Sequence, residues 1–462
     1  MRSKTFRMTE GPLGRNILLF SLPLVFSNLL QILFNMADVA VAGRFAGALA
    51  LGAVGSTSTL VMLYTGFLIG VGSGVNVLVA RFCGARDEKN TRETVHTSAL
   101  LCFSVGLAVL GISQVLTRPL LVLLGTKPDL LEGAVLYLRI YLLGMPALAV
   151  FNFGNAVFSA VGDTKKPLLF LTASGILNIL LNLLFVIVFR MSVAGVALAS
   201  IIAQYLSASL IVASLLRAKG IHALRLKHLR IHRDKAVRIL GLGIPAGCQN
   251  AIFYVANLFV QAGLNTFDTV TVTGSAAAAN ADGLVYDVMA AFYTACSSFM
   301  SQNYGAGKRE RILKSYFISL GYSFAAGAIL GGLLVLFGRQ FLSLFATDTA
   351  VIEAGMLRLT VMGCSYCVSA FMDASIAASR GIGKSLWPTV IVIMGSCVFR
   401  VLWVYTVFAY FGTIQSLYLL YVFSWSITAL AEALYFAYSY RKRVRHMEPP
   451  QSPAEVTEAN GA

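Results

Sequence analysis

Four polar side chains near the amino terminus, Asn28, Gln31, Asn35 and Asp38, follow one another at i+3, i+4 and i+3 within an apolar run from Asn16 to Ala42 whose one charge is Asp38. At about 100° per residue the four fall within an arc of about 80° on one helix face. The run is long enough to cross a bilayer, which takes about 20 apolar residues, so the stripe must face protein or water rather than lipid. Asn178 and Asn182 lie one turn apart in a second apolar run, and Asn250, Asn257 and Gln261 lie in a third. Amides so placed either tie helices together or line a polar cavity, and the sequence leaves both readings open. Ionisable side chains are different, because burying one at the centre of a membrane costs about 2.5–3.5 kcal/mol on insertion scales. The interior set, Asp38, Asp282, Asp287, Asp373 and Arg400, therefore consists of candidates for binding a proton or a monovalent cation. Arg400 sits near the middle of its run and needs a partner; Asp373, on the preceding run, is the nearest acid in sequence. That pair would serve either as structure or as part of ion coupling. Glu432 and Arg139 read as side chains that reach the membrane surface along their own stems.

These residues must be held by membrane-spanning helices. Of the 462 residues, 57% are hydrophobic and only 12% charged, half the usual charged share of a soluble protein. Apolar runs separated by charge or by Gly and Pro predict twelve spans. They lie near 15–42, 52–80, 94–117, 132–158, 167–189 and 193–216, then near 237–264, 275–303, 314–337, 352–379, 386–410 and 414–440. The first run is too long for a signal-peptide core and is read as a retained span. Of the 36 Lys and Arg, 28 fall on the side of both termini and five, Arg44, Arg118, Lys127, Arg190 and Arg339, on the other. The positive-inside rule then puts both termini in the cytoplasm, so the +16 formal charge reports orientation rather than a nucleic-acid partner. Residues 1–216 are expected to form an amino-terminal six-helix lobe and 239–440 a carboxy-terminal one. A basic cytoplasmic connection at 217–238 joins them, and a disordered tail occupies 441–462.

The two halves share a pattern. Pro23, Asn28 and Asn35 return as Pro245, Asn250 and Asn257, all three at one offset. Gly84, Glu132, Gly162 and Pro167 return as Gly305, Glu353, Gly383 and Pro388, at an offset shorter by a single position. Agreement along both halves indicates duplication, and six spans per half give both lobes the same orientation, related by a pseudo-two-fold axis along the membrane normal. Pro23 and Pro245 mark candidate hinges at matching depth, since each frees the carbonyl four residues earlier. Asp373 is the repeat equivalent of Asn152, and Asp38 that of Val260, so the lobes carry different acids.

No H-E-x-x-H, G-x-S-x-G or P-loop pattern is present, which argues against a membrane-embedded enzyme and against direct use of a nucleotide. The seven cysteines are odd in number and mostly apolar in context, so no disulfide framework or metal site is implied.

Several stretches resemble the multidrug and toxic compound extrusion (MATE) family, in its bacterial NorM-like branch. They are PLVFSNLLQILFNMADVAVAGR from Pro23, VARFCGARD from Val79, AVGDTKKP from Ala160, NILLN from Asn178, SQNYGAGKRER from Ser301 and RGIGKSLWP from Arg380. The resemblance implies a secondary antiporter, not an enzyme, that exports lipophilic and often cationic compounds against H+ or Na+ by alternating access of two lobes. It places an amino-terminal ion site at Asp38, Asn178 and Asn182, where some members have Asp in place of Asn182. Ion coupling is expected of Asp38, Asn152, Asn178, Asn182, Asp282, Asp287, Asp373 and Arg400. A substrate cavity is expected around Asn28, Gln31, Asn35, Asn250, Asn257 and Gln261. The expected partners are a small molecule and the lipid bilayer, with no cofactor beyond the coupling ion and no nucleic acid. The chain is expected in the bacterial inner membrane, acting as a monomer. A flippase of lipid-linked substrates from the same wider superfamily is the alternative; it would call for a strongly basic cavity.

Overall fold

The computed structural model describes residues 8–445 and Met447, so the rest of the tail lies outside the described residues. Long apolar runs rich in Leu, Ala and Gly satisfy their backbone groups internally, as a bilayer requires, and form helices throughout. In the amino-terminal half these are α1 (Leu13–Ala46), α2 (Ala48–Gly84), α3 (Glu88–Leu123), the two parts of α4 (Pro128–Leu142 and Met145–Ala160), α5 (Lys165–Val188) and α6 (Ser192–Arg217). The carboxy-terminal half gives α7 (Arg233–Leu264), α8 (Thr269–Gly305), α9 (Arg309–Ser343), α10 (Thr349–Gly381), α11 (Leu386–Phe411) and α12 (Ile414–Arg443). No strand is found among the described residues. Ten of these helices are each long and apolar enough to cross a membrane, and the bent α4 makes an eleventh. The twelfth, α8, has the length, but carries Asn280, Asp282, Asp287 and several hydroxyls along it.

Most helices run beyond the apolar limits read from the sequence, and at α3, α8 and α10 a polar cap marks the earlier start. Asp87, Asp268, Asp348 and Thr413 each accept a backbone N–H at the start of α3, α8, α10 and α12. The expected fourth span is broken by 45° between Leu142 and Met145, where Pro146 has no N–H to offer the Leu142 carbonyl. By contrast α1 and α7 continue through Pro23 and Pro245. The repeated glycines have a backbone reason: Gly162 and Gly383, just past α4 and α10, take φ of 88° and 84°, a region that favours glycine. The connection between lobes is not a free loop. Arg225 donates its backbone N–H to His96 Nε2 on α3 at 3.0 Å, and His232 donates to Thr97 at 3.1 Å.

Helices α1–α6 and α7–α12 form two bundles, and the duplication is visible in the seam between them. Asn28 on α1 donates to the carbonyl of Asp287 on α8 at 2.8 Å, while its equivalent Asn250 on α7 donates to the carbonyl of Gly66 on α2 at 3.0 Å. The two acceptors, Gly66 and Asp287, are themselves repeat equivalents, so one pseudo-two-fold axis relates both bonds. Gly84 likewise lies on the Gln302 carbonyl and Gly305 on the Arg81 carbonyl, again a matched pair. Between α2 and α7, Gly70 and Gly74 let the two backbones meet directly at Gly247 and Gly243.

Candidate functional site

All hydrogen bonds and ion pairs between the lobes, among the described residues, lie between the Asn28–Asp287 level and one end of the molecule. Ser298 donates to Asn76 at 2.8 Å, Gln302 to the Ala160 carbonyl at 2.6 Å and Arg81 to the Ile382 carbonyl at 3.2 Å. Residues 8–11 are gripped at that end as well: Asn303 and Arg311 both reach the Met8 carbonyl, and Lys308 reaches that of Thr9. Arg443 donates to the Ile382 carbonyl, so the described chain starts and finishes at this closed end. Toward the opposite end the lobes share no such bond among the described residues. There Gln31, Asn35 and Gln261 are exposed, and Gln261 binds Asn265 one turn on in its own helix.

In the amino-terminal lobe the structure brings together three residues singled out by sequence. Asn182 on α5 donates to Asp38 Oδ1 at 2.5 Å and also reaches Asn178 Oδ1 at 3.3 Å. The fourth member, Ser200 on α6, was not anticipated; its hydroxyl donates to Asp38 Oδ2 at 3.0 Å and meets the Asn178 amide at 3.4 Å. No spacing rule points to it, since α6 carries several serines and only tertiary packing selects one. Asn178, Asn182 and Ser200 are buried and Asp38 is half-buried. Every donor in this nest is neutral, so a carboxylate here keeps its negative charge available to a proton or a small cation.

The acids of the other lobe are engaged differently. Asp282 on α8 forms an ion pair with Arg358 on α10 at 2.6 Å and accepts the hydroxyl of Tyr366, while Arg358 also donates to Ser275 at 2.9 Å. The sequence alone gives Arg358 no particular partner; its signal there is that a charge inside a span needs an opposite one. The expected contact of Arg400 with Asp373 is not formed. Arg400 instead donates to Asn257 Oδ1 at 2.8 Å and to Ser424, and its guanidinium lies 4.7 Å from the ring centres of both Phe253 and Tyr421. Amide, hydroxyl and aromatic faces hold it without an ion pair, and its Nη2 is left buried with no hydrogen bond. Asp373 Oδ2 is buried without a partner, and its repeat equivalent Asn152 lies against Gly72 with its amide nitrogen equally unpartnered. Glu432 does not reach the surface: it is 0% exposed, in an interior shared with Arg380 and Asp373. Tight packing of α12 on α10 closes the route that its distance from the helix end suggested. Arg139 is exposed, as expected. Asp287 is half-buried beside the seam, next to the exposed Tyr286.

The sequence model of the MatE family matches residues 23–184 and 245–406, one match in each lobe and together more than half of the chain. The chain belongs to the MATE family. Among its relatives, Probable multidrug resistance protein YoeA of Bacillus subtilis is 26% identical over 84% of this chain and 85% of its own length. A FAD transporter of Shewanella oneidensis is also 26% identical, over 78% of this chain and 80% of its own. A solved structure, the outward-facing conformation of a multidrug resistance MATE transporter, superposes with a TM-score of 0.88 at 21% identity, covering 96% of this chain and all of that one. The family, the twelve-helix two-lobe fold and the multi-pass membrane character agree with what the motifs implied. This MATE chain, closed across Asn76 and Ser298, has the fold of that outward-facing relative.

Proposed function

We propose that this MATE chain is an antiporter that exports lipophilic, often cationic compounds in exchange for protons or sodium ions, with the two lobes alternately exposing the cleft between them. The observation that carries this reading is the Asp38 nest: a half-buried carboxylate whose donors, Asn182 and Ser200, are both neutral. Such a group takes up one small cation or proton and releases it when a second cation competes nearby, and that mutual exclusion is the thermodynamic basis of exchange. The closed end carries residues 8–12 and the last turn of α12, and with the excess of basic residues there it is read as cytoplasmic, in a bacterial inner membrane. The conformation would then be outward-open, with substrate release on the far side.

Cationic rather than anionic cargo is favoured by where the buried arginines are committed. Arg358 is held by Asp282, and Arg400 is 1% exposed among Asn257, Ser424 and two aromatic rings, so neither interior guanidinium is presented to a cavity as a pyrophosphate site would require. The chain is taken to work as a monomer with a hinge at Pro23 and Pro245. The test is efflux of a fluorescent lipophilic cation from vesicles, with the sodium and proton gradients collapsed separately. Asp38→Asn, which keeps the side-chain shape, should insert normally and lose gradient-driven export, by about 100-fold if the carboxylate is the coupling group. Export by Asp38→Asn at the wild-type rate would remove Asp38 from the mechanism.

A further inference from the structure

The closed end of the carboxy-terminal lobe carries a groove between α9 and α12 that the transport reading does not use, with a cavity volume of about 510 Å³. Two helical stripes build it. From α9 come Arg309, Leu313, Tyr316 and Phe317, at spacings that put them on one face; from α12 come Ala433, Phe436, Ala437, Tyr440 and Arg441, with Arg445 just beyond. The three arginines of the lining belong to the first turn of α9 and to the last turn of α12 and just beyond it, and the other lining residues are apolar or aromatic. Just over two helical turns separate Arg309 from Phe317 and Arg441 from Ala433, so each wall descends about 12 Å from charge into apolar surface. Ala433 and Ala437 remove bulk from the α12 wall and make the trough, and the Phe317 ring lies 58% exposed beside it.

The three arginines stand apart from their basic neighbours. Lys314 is paired with Glu310, Arg311 grips the Met8 and Gly11 carbonyls, and Arg443 binds the Ile382 carbonyl. Arg309, Arg441 and Arg445 have no ion pair or side-chain hydrogen bond among the described residues, and all three are exposed. Three unpaired guanidiniums over an apolar trough, at the level where a helix leaves the membrane, match a phosphodiester with acyl chains attached.

We propose that this groove binds an anionic phospholipid of the leaflet at the closed end, its phosphate among Arg309, Arg441 and Arg445 and one acyl chain lying along Ala433 and Ala437. The charge supplies attraction and the trough supplies selection for a lipid over a soluble phosphate.

The test is native mass spectrometry of the purified full chain titrated with phosphatidylglycerol, phosphatidylcholine or glycerol phosphate. Wild type should retain phosphatidylglycerol selectively. The triple variant Arg309→Gln, Arg441→Gln, Arg445→Gln should weaken that binding by about 100-fold, while neutralising Arg217, Lys219 and Lys227 in the connection should leave it intact. Ala437→Trp fills the trough without altering charge and should also displace the lipid; its thermal melting in phosphatidylcholine reports whether it is folded. Equal retention of the two phospholipids, unaltered binding by the triple variant, or displacement by glycerol phosphate alone would each overturn the proposal. So would an Ala437→Trp protein that folds and keeps its lipid, because attraction would then be surface charge without a built site.

Discussion

At the residue scale, what distinguishes the buried charges of this transporter is the kind of partner each one has. Asp38 is surrounded by neutral donors, the arrangement on which the proposed cation exchange rests, whereas Asp282 is closed by Arg358 and Tyr366 within one lobe. An ion pair out of water is costly to break from one side, because the remaining charge stays buried and alone. Asp282→Asn or Arg358→Gln alone is therefore expected to lower stability by about 3–5 kcal/mol. The double variant should lose clearly less than the sum, as read from melting of the purified proteins in detergent. Additive losses would mean that the two side chains act independently. Arg400 offers the contrast, since its partners are an amide, a hydroxyl and two rings and its ionic neighbour is not in contact.

At the element scale, the helices that meet across the seam are shaped by glycine. Gly84 and Gly305 each lie on a carbonyl of the opposite lobe, that of Gln302 and that of Arg81, and a methyl group at either position would overlap the backbone it faces. Backbones that approach this closely gain packing that a larger residue would forfeit. Gly84→Ala and Gly305→Ala should each loosen the closed end. Ser298, 0% exposed in the closed seam, provides the readout. A cysteine placed there should react faster with a water-soluble reagent in either glycine variant, and unchanged reactivity in both would show that the seam tolerates the added methyl groups. Because the two contacts are related by the pseudo-two-fold axis, similar effects are expected from the two substitutions.

At the scale of the whole molecule, the alternating access proposed above requires the closed end to open, and the described inter-lobe bonds lie across that end. Asn76 and Ser298 are both buried and joined at 2.8 Å, which brings α2 and α8 together near the axis. Cysteines at the two positions, in a chain whose seven native cysteines are replaced by serine, should cross-link on oxidation. Oxidised protein should stop transporting and reduced protein should recover. Transport at an undiminished rate with the cross-link complete would show that the lobes need not part there.

The twelve helices, the two lobes and the duplication are legible in the sequence, because hydropathy and repeat spacing are properties of a chain read in order. The sequence also marks Asp38, Asn178 and Asn182, since polar residues in apolar runs stand out wherever they fall. Helix ends were less legible: capping by Asp87, Asp268 and Asp348 marks starts that lie before the apolar cores, and the break in α4 depends on one missing N–H at Pro146. Tertiary structure alone decided which polar groups meet. It chose Ser200 over the other serines of α6, gave Asp282 to Arg358, sent Arg400 to Asn257 rather than Asp373, and sealed Glu432 inside the carboxy-terminal lobe. Those outcomes depend on the rotation and depth at which neighbouring helices pack, and periodicity along one helix contains no information about the face that another turns toward it.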